Sequence, residues 1–172
     1  MLSEALFSNN TDNWKTPSDI YNYFINDLNC VDPCPFMSEQ DNLYNTYEFK
    51  NIYINPPYSK IKEWVSFIKR NVAKNIIYLL IPARTDTEYF HELMDLNNKG
   101  VNITLYFIKG RLHFNDSPNS APFPSVLIKF DATGLTFDII THFISKDQIK
   151  IYTEEVNKIA KIKTLHASKE MS

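Results

Sequence analysis

Asn55, Pro56, Pro57 and Tyr58 stand in a row directly after the apolar run Ile52-Tyr53-Ile54. A carboxamide, two rigid prolyl amides and a phenol suit one kind of target, an aromatic amine such as that of adenine. The lone pair of such an amine is delocalised into its ring, so it is a poor nucleophile. It becomes a better one when both of its hydrogens are accepted and the nitrogen is drawn towards tetrahedral geometry. The side-chain carbonyl of Asn55 can accept one hydrogen and the backbone carbonyl of Pro56 the other. Proline fixes its own φ, so these acceptors are stiff before anything binds. Tyr58 offers a ring on which a base turned out of a duplex can stack. The plainer reading of the same four residues is a strand end with a proline stop and Tyr58 in the core.

The elements that must position these residues follow from the hydrophobic pattern. Residues 51–54 form a buried strand. Upstream, Thr16 is expected as the N-cap of a helix over residues 17–28, with Pro17 at its first position and Ile20, Phe24 and Leu28 along one face. Cys30-Val31-Asp32 is a short strand or its end, and Pro33-Cys34-Pro35 must be a loop. Residues 62–72 read as a helix with Trp64, Phe67 and Ile68 inward. A continuous apolar strand over 76–81 is closed by Pro82. A helix over 86–99 starts near Thr85 and stops before Gly100. Strands follow at 101–108 and 125–130, then an edge strand at 137–143 and a polar helix at 146–163. Apolar strands alternating with amphipathic helices predict an α/β fold. It is one doubly wound, mostly parallel sheet in a single domain of 172 residues, with 1–12 and 164–172 as loose ends. Ligands in such sheets gather beyond the C-terminal ends of the strands. The breaks after Asp32, Ile54, Pro82 and Lys109-Gly110 fall at those ends.

Composition narrows the partners. The formal net charge is −2, without the basic surplus of proteins that hold DNA through phosphates alone. Contact with DNA must therefore come from a local patch and from reading a base. Cys30 and Cys34 are the two cysteines, and His91, His113, His142 and His166 lie far apart. Neither a zinc site nor a disulfide framework is expected, and a reducing cytosol fits. The N-terminal residues show neither a secretory leader nor a membrane span. Three glycines leave no material for a glycine-rich phosphate cradle.

Six pieces of the chain, in this order, carry a resemblance. They are Trp14-Lys15-Thr16-Pro17, Val31-Asp32-Pro33-Cys34, Ile54-Asn55-Pro56-Pro57-Tyr58-Ser59, residues 80–87 (LIPARTDT), residues 110–114 (GRLHF) and residues 121–125 (APFPS). Together they resemble the phage-type, Dam-like DNA N6-adenine methyltransferases over roughly residues 13–130. The resemblance implies a Rossmann-like methyltransferase fold. It also implies methyl transfer from S-adenosylmethionine to N6 of an adenine flipped from double-stranded DNA, in the cytoplasm of a bacterial host, with a phage or prophage source. Asn55, Pro56, Pro57 and Tyr58 would form the adenine pocket. Trp14, Thr16, Pro17, Asp32, Pro33 and Cys34 would face the cofactor, with Asp41 near its adenine. Ser59, Lys60, Arg84 and Arg111 would meet DNA, the arginines reaching phosphate or a guanine edge unless they pair with Asp86 or Asp116. Residues 115–123 would form a mobile rim. Lys60, Lys62, Lys69, Arg70 and Lys74 make either a positive patch or a solvated helix face. No metal is implied. The loop Asp32-Pro33-Cys34-Pro35-Phe36 departs from many methyltransferases by lacking glycine, although Phe36 could stack on the cofactor. Two other readings remain: a binding module of the same fold without turnover, and methylation of RNA or of a glutamine amide by similar Asn-Pro-Pro-Tyr chemistry.

Overall fold

A computed structural model of the chain describes residues 14–36, 42–133 and 138–154. Among them, six strands form one sheet: β1 (Cys30–Val31), β2 (Asn51–Ile54), β3 (Ile76–Pro82), β4 (Asn102–Ile108), β5 (Ser125–Asp131) and β6 (Ile139–Ile144), in the spatial order β1-β2-β3-β5-β4-β6. β1, β2 and β3 pair in parallel. β5 is antiparallel to both β3 and β4, and β6 is parallel to β4. One strand of six therefore runs against the rest, which matches the expected mostly parallel α/β sheet. The apolar run of β3 is continuous, and β5 is buried along its whole length, because both faces of the sheet are covered.

On one face, α2 (Ile61–Asn71) and α3 (Glu88–Met94) lay Trp64, Phe67, Ile68, Phe90 and Leu93 on Ile52, Ile54, Ile77, Leu79 and Ile128. On the other, α1 (Ser18–Asn22), a π-helical turn (Tyr23–Asp27) and the helical residues 149–154 cover Tyr53, Tyr78, Leu80, Tyr106 and Leu127. Period-two alternation along β2 is what sends Tyr53 to the opposite face from Ile52 and Ile54.

Several expected boundaries shift, each for a local reason. The 17–28 helix is α only to Asn22, after which the Leu28 N–H reaches back to the Tyr23 carbonyl at 3.1 Å, a π-type bond. Phe24 stacks on Tyr53 with centroids 4.6 Å apart, and the Tyr23 hydroxyl pairs with Thr153 at 2.6 Å. The 86–99 helix begins at Glu88, because the Thr87 hydroxyl donates back to the Arg84 carbonyl at 2.8 Å and closes a turn there. It also breaks after Met94, where Asp95 and Asn98 bond to each other at 3.0 Å and Asn97 to the Val101 carbonyl at 3.1 Å. Short polar side chains compete with the helix in this way. Gly100 then turns the chain at φ 86°, in the left-handed region that glycine adopts without strain. Residues 137 and 155–163 of the expected last strand and helix lie outside the described residues, as does Asp41.

The connection from β1 to β2 is pinned by two buried asparagines of the α2 end. Asn71 accepts from the Tyr47 N–H at 2.7 Å, and Asn75 accepts from the Lys50 N–H at 2.9 Å. They bring the chain back to the sheet without another strand between β1 and β2 among the described residues.

Candidate active site

β1, β2, β3 and β4 all end at one edge of the sheet, and the antiparallel β5 begins there. Asp32, Asn55, Arg84 and Arg111 leave the strands at this edge. β2 delivers Asn55, and Pro56-Pro57 prevents the ladder from continuing past it. Pro57 then starts a short 3₁₀ turn, Tyr58–Lys60, that leads into α2.

The Asn55 carboxamide is held by three partners. Its Nδ2 donates to the Trp14 carbonyl and to Thr16 Oγ1 at 3.1 Å, while its Oδ1 accepts from the Tyr58 hydroxyl at 3.4 Å. A backbone carbonyl only accepts, so the amide nitrogen must face Trp14 and the oxygen must face away. The 3.4 Å contact is long, so Oδ1 keeps capacity for a shorter bond. The Asn55 backbone carbonyl meets the Cys34 thiol at 3.7 Å. Thr16, buried at 4% exposure, shares a further bond with the Tyr53 hydroxyl at 2.9 Å. Thr16 is therefore not the N-cap that its Thr-Pro context predicts. Pro17 occupies the cap position, Asp116 from a distant loop accepts the Ser18 N–H at 3.0 Å, and the Thr16 hydroxyl is left for the site.

Beside Asn55 lies a cavity of about 230 Å³, lined by Lys15, Thr16, Tyr21, Asp32, Cys34, Pro35, Phe36 and Asn55. Asp32 turns back on itself, Oδ1 accepting the Cys34 N–H at 2.9 Å. Burial pushes its carboxyl above the usual range, and bonds from Cys34 and the Tyr21 hydroxyl pull it back only partly. Burial, then the negative charge of Asp32, push Tyr21 up to about 12. Tyr58 packs edge-on to Phe123 with centroids 5.6 Å apart. Burial raises its phenol far above 10, with Tyr89 adding to the shift, so it stays protonated and cannot serve as a general base. Trp14 meets Phe114 and Phe123 edge-on at 5.6 and 5.2 Å.

The expected residues divide accordingly. Thr16, Asp32, Cys34 and Asn55 line one cavity; Trp14 and Tyr58 touch Asn55 without lining it. Pro33 is buried behind it, its carbonyl accepting the Asn42 N–H at 3.0 Å. Ser59 and Lys60 are exposed on the turn after the site. Arg111 bonds the Ala121 carbonyl at 3.3 Å. Asp116 pairs instead with Lys15 at 3.6 Å, so the expected Arg111–Asp116 alternative is not formed. The 115–123 segment, expected as a mobile rim, is tied at Asn115–Asp116 and at the buried Ala121, with residues 118–120 exposed between them. Of the lysines near α2, Lys62, Lys69 and Lys74 pair with Glu88, Glu92 and Glu48, and Arg70 donates to the Leu43 carbonyl at 2.7 Å. They tie helices and loop together, which is the solvated-face reading. Three lining residues were not singled out from sequence: Lys15, Tyr21 and Pro35, the last read only as part of a loop. Tyr21 was findable: it lies one helical turn beyond Pro17, on the helix whose start the site uses.

Residues 4–130 match the family model for DNA N-6-adenine-methyltransferase (Dam). The chain belongs to this family. The match spans β1 to β5 and takes in every residue of the cavity. Membership relates the chain by descent to DNA N-6-adenine methyltransferases. A solved structure from Listeria monocytogenes, provisionally assigned as a class I S-adenosylmethionine-dependent methyltransferase, is similar at 14% identity and a TM-score of 0.43, over 69% of this chain and 44% of that one. The chain thus spans less than half the length of that structure. No curated protein matches the chain. Among the described residues, no group of three or more His, Cys, Asp or Glu side chains could hold a metal ion, and no helix is long and apolar enough to cross a membrane.

The cavity's donor set fits S-adenosylmethionine. A largely buried carboxylate, Asp32, suits a cation or sugar hydroxyls. Lys15 suits the carboxylate end, and Phe36 offers an aromatic face. At about 230 Å³ the described walls are smaller than the roughly 300–1,000 Å³ of ordinary ligand clefts. They would enclose part of such a cofactor.

Proposed function

We propose that this Dam-family protein methylates N6 of adenine in double-stranded DNA, acting on a base extruded from the duplex. The observation that carries the reading is the anchoring of Asn55 Nδ2 on Trp14 and Thr16. With the nitrogen committed, Oδ1 is the side of the carboxamide left to accept a hydrogen from the target amine. The Pro56 carbonyl accepts the second. Tyr58 supplies a neutral ring and polarises Oδ1 weakly. Asp32, Lys15 and Phe36 would hold the cofactor, which supplies the methyl group as an electrophile when bound. Acceptors fixed before binding favour the tetrahedral nitrogen of the transition state without reorganising. Ser59, Lys60, Arg84 and Arg111 sit on the same rim as candidates for the DNA backbone and base edges. Work on DNA would place the protein in a bacterial cytoplasm, in keeping with the phage-type resemblance.

The test is tritiated S-adenosylmethionine with unmethylated DNA, followed by nucleoside analysis, with RNA and protein as parallel acceptors. Label in N6-methyladenine from DNA is expected. Asn55→Ala should lower kcat by roughly 10²–10³-fold while sparing the fold and most cofactor affinity. Wild-type label in RNA or protein alone would redirect the reading. The small, glycine-free cavity favours one competitor, a binding module of this fold with little turnover. Calorimetry showing no cofactor binding would support that instead.

A further inference from the structure

The turn over residues 113–117 lines no part of the cavity, yet it holds two backbone outliers. Asn115 and Asp116 lie in the left-handed region at φ 58° and 51°. Non-glycine residues keep that conformation where their surroundings fix it, and Asn and Asp tolerate it best. The partner here is the segment ahead of α1. The Asn115 N–H donates to the Lys15 carbonyl at 2.8 Å, and Asn115 Oδ1 accepts the Lys15 N–H at 2.8 Å. Asp116 accepts the Ser18 N–H at 3.0 Å and the Ser18 hydroxyl at 2.6 Å, and the Lys15 ammonium lies 3.6 Å from its carboxylate. The turn therefore grips residues 15 and 18, on either side of Thr16-Pro17.

One peptide group links this clasp to Asn55. The Lys15 N–H and the Trp14 carbonyl belong to the same planar unit. The N–H end binds Asn115 Oδ1, and the carbonyl end accepts from Asn55 Nδ2. Fixing one end fixes the other, and bonds in series polarise each other. Thr16, the second acceptor of Asn55 Nδ2, lies between the two grips.

We propose that Asn115 and Asp116 are positioning residues for Asn55, acting through the Trp14–Lys15 peptide, an inference that rests on the methyl-transfer reading above. The clasp keeps the Asn55 carboxamide from rotating, so that Oδ1 is presented to the target amine. Neither residue touches substrate.

The test uses Asn115→Gly/Asp116→Gly, which deletes both side chains while suiting the left-handed backbone, with each single glycine variant alongside in case the double variant does not fold. Two readouts are taken: hydrogen exchange of the Asn55 side-chain amide by NMR, its signal assigned by its loss in Asn55→Ala, and steady-state methylation. In a folded variant, amide exchange should quicken by roughly tenfold or more, and kcat should fall roughly ten- to a hundredfold with the KM for DNA little changed. Asn115→Asp, which keeps an acceptor at the same place, should stay near wild type in both. Unchanged exchange at Asn55 in a folded variant overturns the proposal, and so does faster exchange with unchanged kcat. Should wild type methylate no DNA, the functional reading fails on its own, and amide exchange alone then decides whether the clasp holds Asn55.

Discussion

The centre of the sheet and its strand-end rim are built on opposite terms. β3 and β5 pair along their whole length, Ile76 to Asp131 through Pro82 to Ser125, and every residue of β5 is buried. At the rim, β1 has two residues and β2 four. Asn115 and Asp116 adopt positive φ beside it, and polar side chains bond to backbone far away in sequence. Long apolar ladders supply burial and cooperativity. Short strands release the chain early, so that Asp32, Asn55 and their neighbours are held by a few specific bonds. The contrast teaches where to expect losses of stability and where to expect losses of turnover.

The centre also carries a buried ion pair at the end away from the site. Lys129 and Asp131 lie 3.3 Å apart with side chains 2% and 8% exposed, Asp131 opposite the first residues of β3 and β4 and Lys129 opposite Tyr78 and Thr104. Burial alone would raise the Asp131 carboxyl, but the Lys129 charge and two bonds from Thr133 hold it below its ordinary value. Its contribution to stability is therefore present above the ordinary Asp range and is lost as pH falls through the lowered folded value. The largest expected effect follows from this pair. Lys129→Met should cost about 3–5 kcal/mol by stranding Asp131, seen in urea denaturation, with turnover per folded molecule intact. Lys129→Met/Asp131→Asn should recover most of the loss. A single variant as stable as wild type, or one that is folded yet inactive, breaks the division between centre and rim.

The centre was the legible part of the sequence. Ile76 to Ile81 has the length, branching and proline stop of a buried strand, and the observed β3 adds only Pro82. Asn51–Ile54 was legible for the same reason, and with it the position of Asn55. The rim was less so. Thr16-Pro17 has the local pattern of a helix cap, but Tyr53 and Asn55, distant in sequence, claim the hydroxyl. Nothing local marks Asn115 and Asp116 as partners of Lys15 and Ser18, about a hundred residues away. Tertiary contacts of that span override local propensity, and the π turn at Tyr23–Asp27 likewise follows from packing against Tyr53 and Thr153.

Tyr58 straddles the two regions, since its ring joins the core edge while its hydroxyl reaches Asn55. Tyr58→Phe keeps the ring and removes only the 3.4 Å bond, so it should retain most of the activity. Tyr58→Ala should lose about 1–3 kcal/mol of base stacking, roughly ten- to a hundredfold in kcat/KM. A mismatch opposite the target adenine lowers the cost of extrusion and should partly restore the alanine variant. If Tyr58→Ala lowers the melting temperature and a mismatch restores nothing, Tyr58 belongs to the centre.

Asp32 gives the smallest and most diagnostic effect, because its two roles respond to pH with opposite sign. Burial raises its folded pKa above the ordinary carboxylate value. The folded state therefore holds the proton more tightly than the unfolded chain. The associated stability is fully present below the unfolded pKa and is lost as pH rises through the folded one. Cofactor binding runs the other way. A cationic sulfonium or ammonium group is attracted to the ionised carboxylate, so affinity should rise with pH over that same window, with proton release on binding. Asp32→Asn removes the titration from both. It should melt slightly higher than wild type at neutral pH, bind S-adenosylmethionine more weakly, and show a flatter pH dependence of both quantities, while DNA affinity changes little. Thermal melts and calorimetry from roughly pH 4 to 7, across the range in which carboxylates titrate, measure the two slopes. Slopes of the same sign in wild type would mean that the cofactor does not meet Asp32 as a charge. An unaltered cofactor affinity in Asp32→Asn would make the residue a buried turn former, and would move the cofactor's cationic end to another part of the cavity.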